Sequence, residues 1–364
     1  MVKKLLIFFG LIGLVILVYF LLMTKGKKAD HATGDPKQEL GRYLFFDNRL
    51  SFNSTKSCGS CHDPAMAFTD GYRRSVTAAG ENLKHNSPSL VNAALLHYFD
   101  WANPSVTTLE KQHQRPLFGK EPVELGANAD EKKILQKLRS DSLYKVLFTA
   151  AFPGEKDPFD FDHIIPAIAD FVRSLSSFQS PYDRFTKGDN AALGISAKEG
   201  MQLFFSKRLN CTSCHPPPLF TTASLTTNID SIYFNTGLYN LMNKDAYPEM
   251  DNGLRSITQK TGNDGRFKTP SLRNLALTAP YMHDGSVNTL DEVITIYSEG
   301  GRNIQSGPLA GDGRQNRNKD KRLIGFSLSK KERQDLTAFL FCLTDSSVLV
   351  NRAFQNPFNI VQHK

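Results

Sequence analysis

Apolar side chains recur every three to four positions in several stretches of this 364-residue chain, the period that gathers them on one helical face. Residues 39–50 (ELGRYLFFDNRL) and 199–209 (EGMQLFFSKRL) both follow it and share Leu-Phe-Phe-x-x-Arg-Leu. A duplicated unit is therefore expected, each copy opening on an amphipathic helix. Ser196 with Glu199 reads as a capping box at the start of the second copy's helix. Residues 130–149 and 162–178 carry the same period. So does a helix after Ser329, capped by Glu332, with Leu336, Phe339, Leu340 and Leu343 on its stripe. Cys342 falls in that helix and is expected in the core. Alternation of period two is scarce. Segments 216–273 and 298–326 are rich in Gly, Asn and Pro and read as long loops, and Pro181 with the turn Gly188-Asp189-Asn190 marks a boundary near 190.

The N-terminus reads differently. Leu5 to Met23 is an uncharged run between Lys3-Lys4 and Lys25, Lys27 and Lys28. Its length approaches a bilayer span and exceeds a usual signal-peptide core. An uncleaved membrane helix within residues 1–24 is expected in preference to a cleaved signal. Residues 25–37 follow as a polar linker in which His31 is solvated. The net charge of +8 is dispersed and accompanied by no nucleic-acid motif, so nucleic acid is not expected as a partner. A mildly basic surface fits docking of another redox protein.

Four of the 5 cysteines sit in two pentapeptides, Cys58-Gly-Ser-Cys61-His62 and Cys211-Thr-Ser-Cys214-His215. Two thiols three positions apart can each bond one vinyl group of a porphyrin, and the following His then lies beneath the iron. This is the attachment pattern of haem c. A redox Cys-x-x-Cys pair or half a zinc site gives no reason for the adjoining His, present twice. The haem segments predict a mainly α fold, with long loops wrapped around a large planar cofactor. What faces each proximal His decides its role: a sixth ligand suits electron transfer, an open position suits binding of a small molecule.

Further motifs, Asn86-Ser-Pro-Ser-Leu-Val-Asn92, Pro122-Val-Glu-Leu-Gly126, Phe267-Lys-Thr-Pro-Ser-Leu-Arg-Asn274 and Ala279-Pro-Tyr-Met-His-Asp-Gly285, bring a resemblance into view. From about Leu40 to Leu343 the chain resembles the bacterial di-haem cytochrome c peroxidase family, including its MauG-like branch. The resemblance implies two duplicated cytochrome c-like haem domains, over 38–190 (peroxidatic haem) and 191–364 (electron-transfer haem), preceded by the N-terminal transmembrane helix. The family's distal His of the first haem matches Ala78 here, which implies an open iron above His62. His85, beside Asn86, is expected at the surface or against a haem propionate. The resemblance makes Glu124 the acid/base group for peroxide, with Gln112 as its polar neighbour, and burial would suit Glu124 to proton transfer. At the second haem, His215 is expected to be opposed by Tyr297, with Met282 the alternative axial ligand; a phenolate favours ferric iron. Trp101 matches the family's inter-haem Trp and a relay role. Asn86, Thr278 and Pro280 match a Ca²⁺ site of neutral oxygen donors.

The leading expectation is a peroxidase with two covalently bound haem c groups, reducing H₂O₂ with electrons from a cytochrome c, a cupredoxin or quinol. Alternatives are a MauG-like oxidase of a protein side chain or small molecule, and a di-haem electron carrier without catalysis. Haem c attachment places the body in the bacterial periplasm, anchored to the inner membrane or released there if the segment is cleaved. A homodimer is a further expectation.

Overall fold

The computed structural model describes residues 34–359. Helix α1 (Pro36–Phe46) starts on Asp35, whose carboxylate accepts from the N–H groups of Lys37 and Gln38, with Pro36 at the first helical position. Leu109–Phe118 forms α2. The periodic stretch 130–149 divides into α3 (Glu131–Ser140) and α4 (Ser142–Ala151), because Asp141 leaves helical geometry to accept from Leu143 N–H. Phe161–Ser174 is α5, and Pro181–Thr186 is α6, opened by a capping box between Ser180 and Asp183. Ile195–Phe205 is α7, Arg255–Thr258 a single turn, α8, Leu290–Glu299 is α9 and Lys330–Phe341 is α10. The expected Ser329–Glu332 capping box opens α10.

Two expectations about the second copy need correction. Helix α7 begins on Gly194 without a side-chain cap, because the Ser196 hydroxyl is turned across to Asp335 Oδ1 of α10 at 2.6 Å. Cys342 is half-buried at the C-cap of α10 and is not a core residue.

The membrane part of the expected fold class is also corrected. The chain is mainly helical, but no helix among the described residues is long and apolar enough to cross a membrane. The longest of them, α5, has 14 residues. At 1.5 Å per residue that is roughly 21 Å, short of a hydrocarbon core of about 30 Å. The uncharged run at 5–23, on which the transmembrane helix was expected, lies outside the described residues.

The long loops contain short 3₁₀ turns and two minimal antiparallel ladders. Strand β1 (Tyr233–Phe234) pairs with β2 (Phe267–Lys268), and β3 (Asn303–Ile304) pairs with β4 (Gly311–Asp312).

Duplication is visible in the packing. In the first copy Phe45 of α1 meets Phe68 and Phe171 of α5 edge-on, at 6.0 and 5.1 Å between ring centres. In the second, Phe204 of α7 meets Phe220 and Phe339 of α10 at 5.7 and 5.3 Å. One core gathers residues between Leu40 and Leu175, together with Val348 and Phe354 from the C-terminal segment. A second gathers residues between Tyr182 and Leu343.

Each copy crosses its two helices at a glycine. A Cβ on Gly41 would lie 1.8 Å from the carbonyl oxygen of Ala167, and one on Gly200 would lie 1.8 Å from that of Asp335. The backbone approach that sets each helix pair thus excludes any side chain. Gly200→Ala is expected to destabilise the fold by about 1–3 kcal/mol or more, the cost of overpacking. Gly262→Ala, with nothing within 4 Å, should stay within about 0.5 kcal/mol. Denaturant unfolding of the two variants makes the comparison, and equal stabilities would remove this account of the crossing.

Candidate haem and peroxide site

The two Cys-x-x-Cys-His segments fold alike. Cys58–Ser60 and Cys211–Ser213 each form a 3₁₀ turn, closed by His62 N–H to Cys58 O at 3.0 Å and His215 N–H to Cys211 O at 2.8 Å. Each turn brings the paired thiols and the histidine to one side of a short loop. Burial pushes the thiols up, Cys58 and Cys211 to about 12 and Cys61 to about 11.

Each imidazole is oriented through Nδ1, which lies 2.9 Å from the carbonyl oxygen of Phe68 for His62 and of Phe220 for His215. That bond leaves Nε2 as the nitrogen for iron, in the manner of metal-bound histidines generally. Burial depresses both rings, His215 to about 4, so they are held neutral as ligation requires. Phe68 and Phe220 are bulky residues in the left-handed region, with φ of 62° and 56°. Strain of this kind persists only where surroundings impose it. Here the rings are locked into the helix cores while the carbonyls are aimed at the histidines.

A second repeated device braces the same loops, and aligning the two copies beyond the haem segments would have exposed it. The sequences Ser87-Pro-Ser-Leu-Val-Asn92 and Thr269-Pro-Ser-Leu-Arg-Asn274 are counterparts. Ser89 Oγ donates to Ala67 O and Ser271 Oγ to Leu219 O, both at 2.6 Å, immediately before the strained phenylalanines. Asn92 and Asn274 both have positive φ, 59° and 61°, and their side chains accept from Ser177 N–H and Asp345 N–H at 2.9 and 2.8 Å.

A cavity of about 360 Å³ runs from Ser87 past Trp101 to His215. Ser87 Oγ lies 3.2 Å from His62 Nδ1, so the cavity's near end touches the first site. Tyr297 of α9 and Met282 both line it together with Cys211, Cys214 and His215. The Tyr297 hydroxyl is raised by burial and then by the charges of Cys214 and Cys211. Met282 has a positive φ of 71°. A cavity with a neutral imidazole, two thiols at attachment spacing and mostly apolar walls fits a covalently held haem, so the donor set matches the cofactor.

Trp101 sits on the wall between the two motifs. Its indole N–H donates to Asn86 O at 3.0 Å, Asn86 N–H donates to His283 O at 2.7 Å, and Lys268 N–H donates to Trp101 O at 2.8 Å. Burial lowers the Lys268 ammonium to about 8, with Asp100 opposing, and its Nζ donates to Tyr98 O at 3.0 Å. Asn86, Thr278 and Pro280 line the same cavity. Asn86 gives its amide N–H to Tyr72 O at 2.9 Å. His85 pairs through Nε2 with Asp251 Oδ1 at 2.7 Å. Burial raises Asp251, but the His283 ring, with Nε2 3.3 Å from Oδ2, and the bonded His85 outweigh it and hold the carboxyl well below the usual range.

Ala78 is buried and pinned by its backbone. Its N–H donates to Glu124 O at 2.7 Å and its carbonyl accepts from Asn53 Nδ2 at 2.8 Å. Leu125 N–H donates to Pro116 O at 2.9 Å, folding the Glu124 loop onto the end of α2. Burial raises the Glu124 carboxyl, Arg115 opposes that, and Asp100 adds to it. The Glu124 charge in turn adds to the upward push on Cys58 and Cys61, so the carboxyl is within electrostatic reach of the first motif. Gln112 of α2 has a buried Oε1 without a hydrogen-bond partner among the described residues. His113, next to it, was not singled out in the sequence. It is buried, bonds Leu109 O through Nδ1 at 2.6 Å, and is depressed to about 4, first by burial.

Comparison with known proteins agrees with this architecture. Residues 35–191 match the family model described as di-haem cytochrome c peroxidase. The methylamine utilization protein MauG of Methylorubrum extorquens is 33% identical over 304 residues, 84% of this chain and 77% of that protein. The cytochrome c551 peroxidase of Pseudomonas aeruginosa is 30% identical over 263 residues, covering 72% and 71%. A solved MauG-like protein associated with microbial copper homeostasis superposes with a TM-score of 0.85 at 43% identity, over 89% of this chain and 93% of that one. The chain belongs to the di-haem cytochrome c peroxidase family, oxidoreductases that carry two haem c groups and act on hydrogen peroxide.

Proposed function

We propose that the two sites divide the labour: His62 would hold the iron that meets hydrogen peroxide, and His215, with a second protein ligand, would hold the electron-transfer partner. Cys58 and Cys61, and Cys211 and Cys214, would hold the two haems by thioether bonds. Haem supplies the iron that binds peroxide and exchanges electrons one at a time. The observation that carries the reading is the pairing of Ala78 with Glu124. Ala78, at the position that matches the family's distal ligand, carries a side chain that cannot ligate metal, and its N–H donates to the backbone of Glu124, whose carboxyl is half-buried. Glu124 takes the proton from the near oxygen of the incoming peroxide and returns it to the departing one, so that water leaves. The unpartnered Gln112 Oε1 orients the substrate's hydrogen. Trp101, bonded on one side to Asn86 and on the other to Lys268, relays oxidising equivalents between the halves.

At the second site, Tyr297 is the residue that would supply the further iron ligand, since it lines the same cavity as Cys211, Cys214 and His215. Tyr297→Phe is expected to abolish the low-spin ferric signal of one haem, and Met282→Leu to leave it intact. The reverse pattern in electron paramagnetic resonance would assign Met282. Calcium at Asn86 Oδ1, Thr278 and Pro280 fits neutral oxygen donors. Haem c is attached outside the bacterial inner membrane, which favours a periplasmic site of action.

The reaction is best tested by peroxide turnover with reduced cytochrome c, a reduced copper protein and quinol in parallel. Turnover with any of them supports peroxidase action. Turnover with none, combined with peroxide-dependent modification of a protein side chain, supports the MauG-like oxidase, a reading favoured by the two MauG-type similarities at 33% and 43% identity. Two low-spin haems that refuse carbon monoxide after reduction would overturn both.

A further inference from the structure

Asp100 precedes Trp101 and uses its two oxygens in different directions. Oδ1 accepts from the N–H groups of Ala102 and Asn103, at 2.8 and 2.6 Å, and so fixes the turn that carries the indole. Oδ2 forms an ion pair with Arg115 Nη1 on α2. Arg115 adjoins Pro116, the residue whose carbonyl receives Leu125 N–H, so the backbone folds the loop that carries Glu124 onto the end of α2 next to Arg115. An uninterrupted line of contacts thus joins the Trp101 turn to the Glu124 loop.

We propose that Asp100 and Arg115 are positioning residues that form a charged strut, coupling the proton-transfer carboxylate Glu124 to the turn that holds Trp101. The inference rests on the reading of Glu124 as the proton-transfer group. Arg115 favours the ionised carboxylate and Asp100 disfavours it, against a background in which burial favours the proton. The other titratable groups within reach of Glu124 are the Cys58 and Cys61 thiols, which burial pushes up to about 12 and 11 and so keeps neutral. The Arg115 side chain is 46% exposed and that of Asp100 12%, so the pair runs from the surface inward to the Trp101 turn. Arrival of a proton at Glu124 therefore relaxes the pull on Arg115 and, through Asp100, on the turn next to the indole.

The test uses the holoenzyme and three variants. In resting ferric protein, the infrared band of the protonated Glu124 carboxyl, assigned by its loss in Glu124→Gln, is titrated against pH. The acid limb of the peroxide reaction is measured alongside. Arg115→Gln should move both to higher pH and Asp100→Asn should move both to lower pH, while Arg115→Lys restores them toward the parent. Asp100→Asn keeps the Oδ1 acceptor, so the turn itself survives. The chain has 1 Trp, so an ultraviolet Raman band of the indole N–H reports Trp101 alone. It should follow the Glu124 titration in the parent and cease to follow it in Arg115→Gln. Unmoved titrations, or shifts in the same direction for both charge changes, overturn the strut. An indole band indifferent to pH in the parent overturns the coupling. If Glu124→Gln leaves the acid limb in place, the reading of Glu124 fails. If it removes the limb while Arg115→Gln and Asp100→Asn leave it unmoved, only the strut fails. Should Arg115→Gln not fold, Asp100→Asn and Arg115→Lys carry the same decision.

Discussion

Glu124→Gln is expected to slow the reaction with hydrogen peroxide by about 10²–10⁴-fold, the usual contribution of a positioned acid/base group. The amide matches the carboxylate in size, and the bonds that place this residue, Ala78 N–H to Glu124 O and Leu125 N–H to Pro116 O, involve only backbone atoms. Both haem spectra should therefore be retained while proton transfer is lost. Direction in pH follows from the same residue. Glu124 must be ionised to accept the peroxide proton, and burial raises it above the ordinary Glu value of about 4.3. The parent should lose activity as pH falls through that raised value, and the variant should show no such limb. Stopped-flow mixing with peroxide across pH makes the measurement. A loss of less than about tenfold with an unchanged acid limb would remove Glu124 from the chemistry.

The second large effect is on stability and is expected at Asp183→Asn. Arg273 holds Asp183 through two bonds, Nη1 to Oδ2 at 2.9 Å and Nη2 to Oδ1 at 2.8 Å. The two side chains are 3% and 8% exposed, and the guanidinium stacks 4.5 Å from the centre of the Phe178 ring. Removing one charge of a buried pair leaves the other uncompensated, which costs about 3–5 kcal/mol. The consequence reaches the haem site, because Arg273 Nε donates to Pro218 O at 2.8 Å, two residues before the carbonyl that orients His215. Urea unfolding of the holoenzyme should show the loss, and the His215 haem should become less uniform in its spectrum. Burial alone would raise Asp183, but the Arg273 bonds outweigh it and hold the carboxyl below its usual value. A depressed carboxyl contributes stability above the unfolded value of about 3.9 that disappears as pH falls through the folded one. Parent and variant should accordingly converge in stability as the medium is acidified below pH 4. A constant gap down to that range would show that the pair acts through shape and not charge.

Much of this was legible in the order of residues. Spacing alone identifies a haem c attachment, since two thiols and a histidine within five residues have few other uses. Leu-Phe-Phe-x-x-Arg-Leu announces the duplication because helix faces that cover the same cofactor keep the same apolar pattern. The capping box at Ser329 and Glu332 is local chemistry and is found where the pattern puts it. Ser196 and Glu199 carry the same letters and fail to cap, because Asp335 on another helix offers the Ser196 hydroxyl a partner that no local rule can foresee. The stretch 130–149 reads as one helix by period, but Asp141 breaks it by capping the next turn.

What the chain determines by itself is covalent and local: which residues can bond haem, which stretches coil, and which positions lack a ligating side chain, as Ala78 does. What only the tertiary structure decides is which of those groups meet. Phe68 and Phe220 acquire their role because helix cores hold their rings while strained backbones turn their carbonyls to the histidines. Asp100, Arg115 and Glu124 are separated by 15 and 9 positions in sequence and become one electrostatic unit only when the 119–125 loop folds back on α2. Long-range electrostatics and packing depend on distance in space, and sequence spacing encodes that distance only within a helical turn or a tight loop.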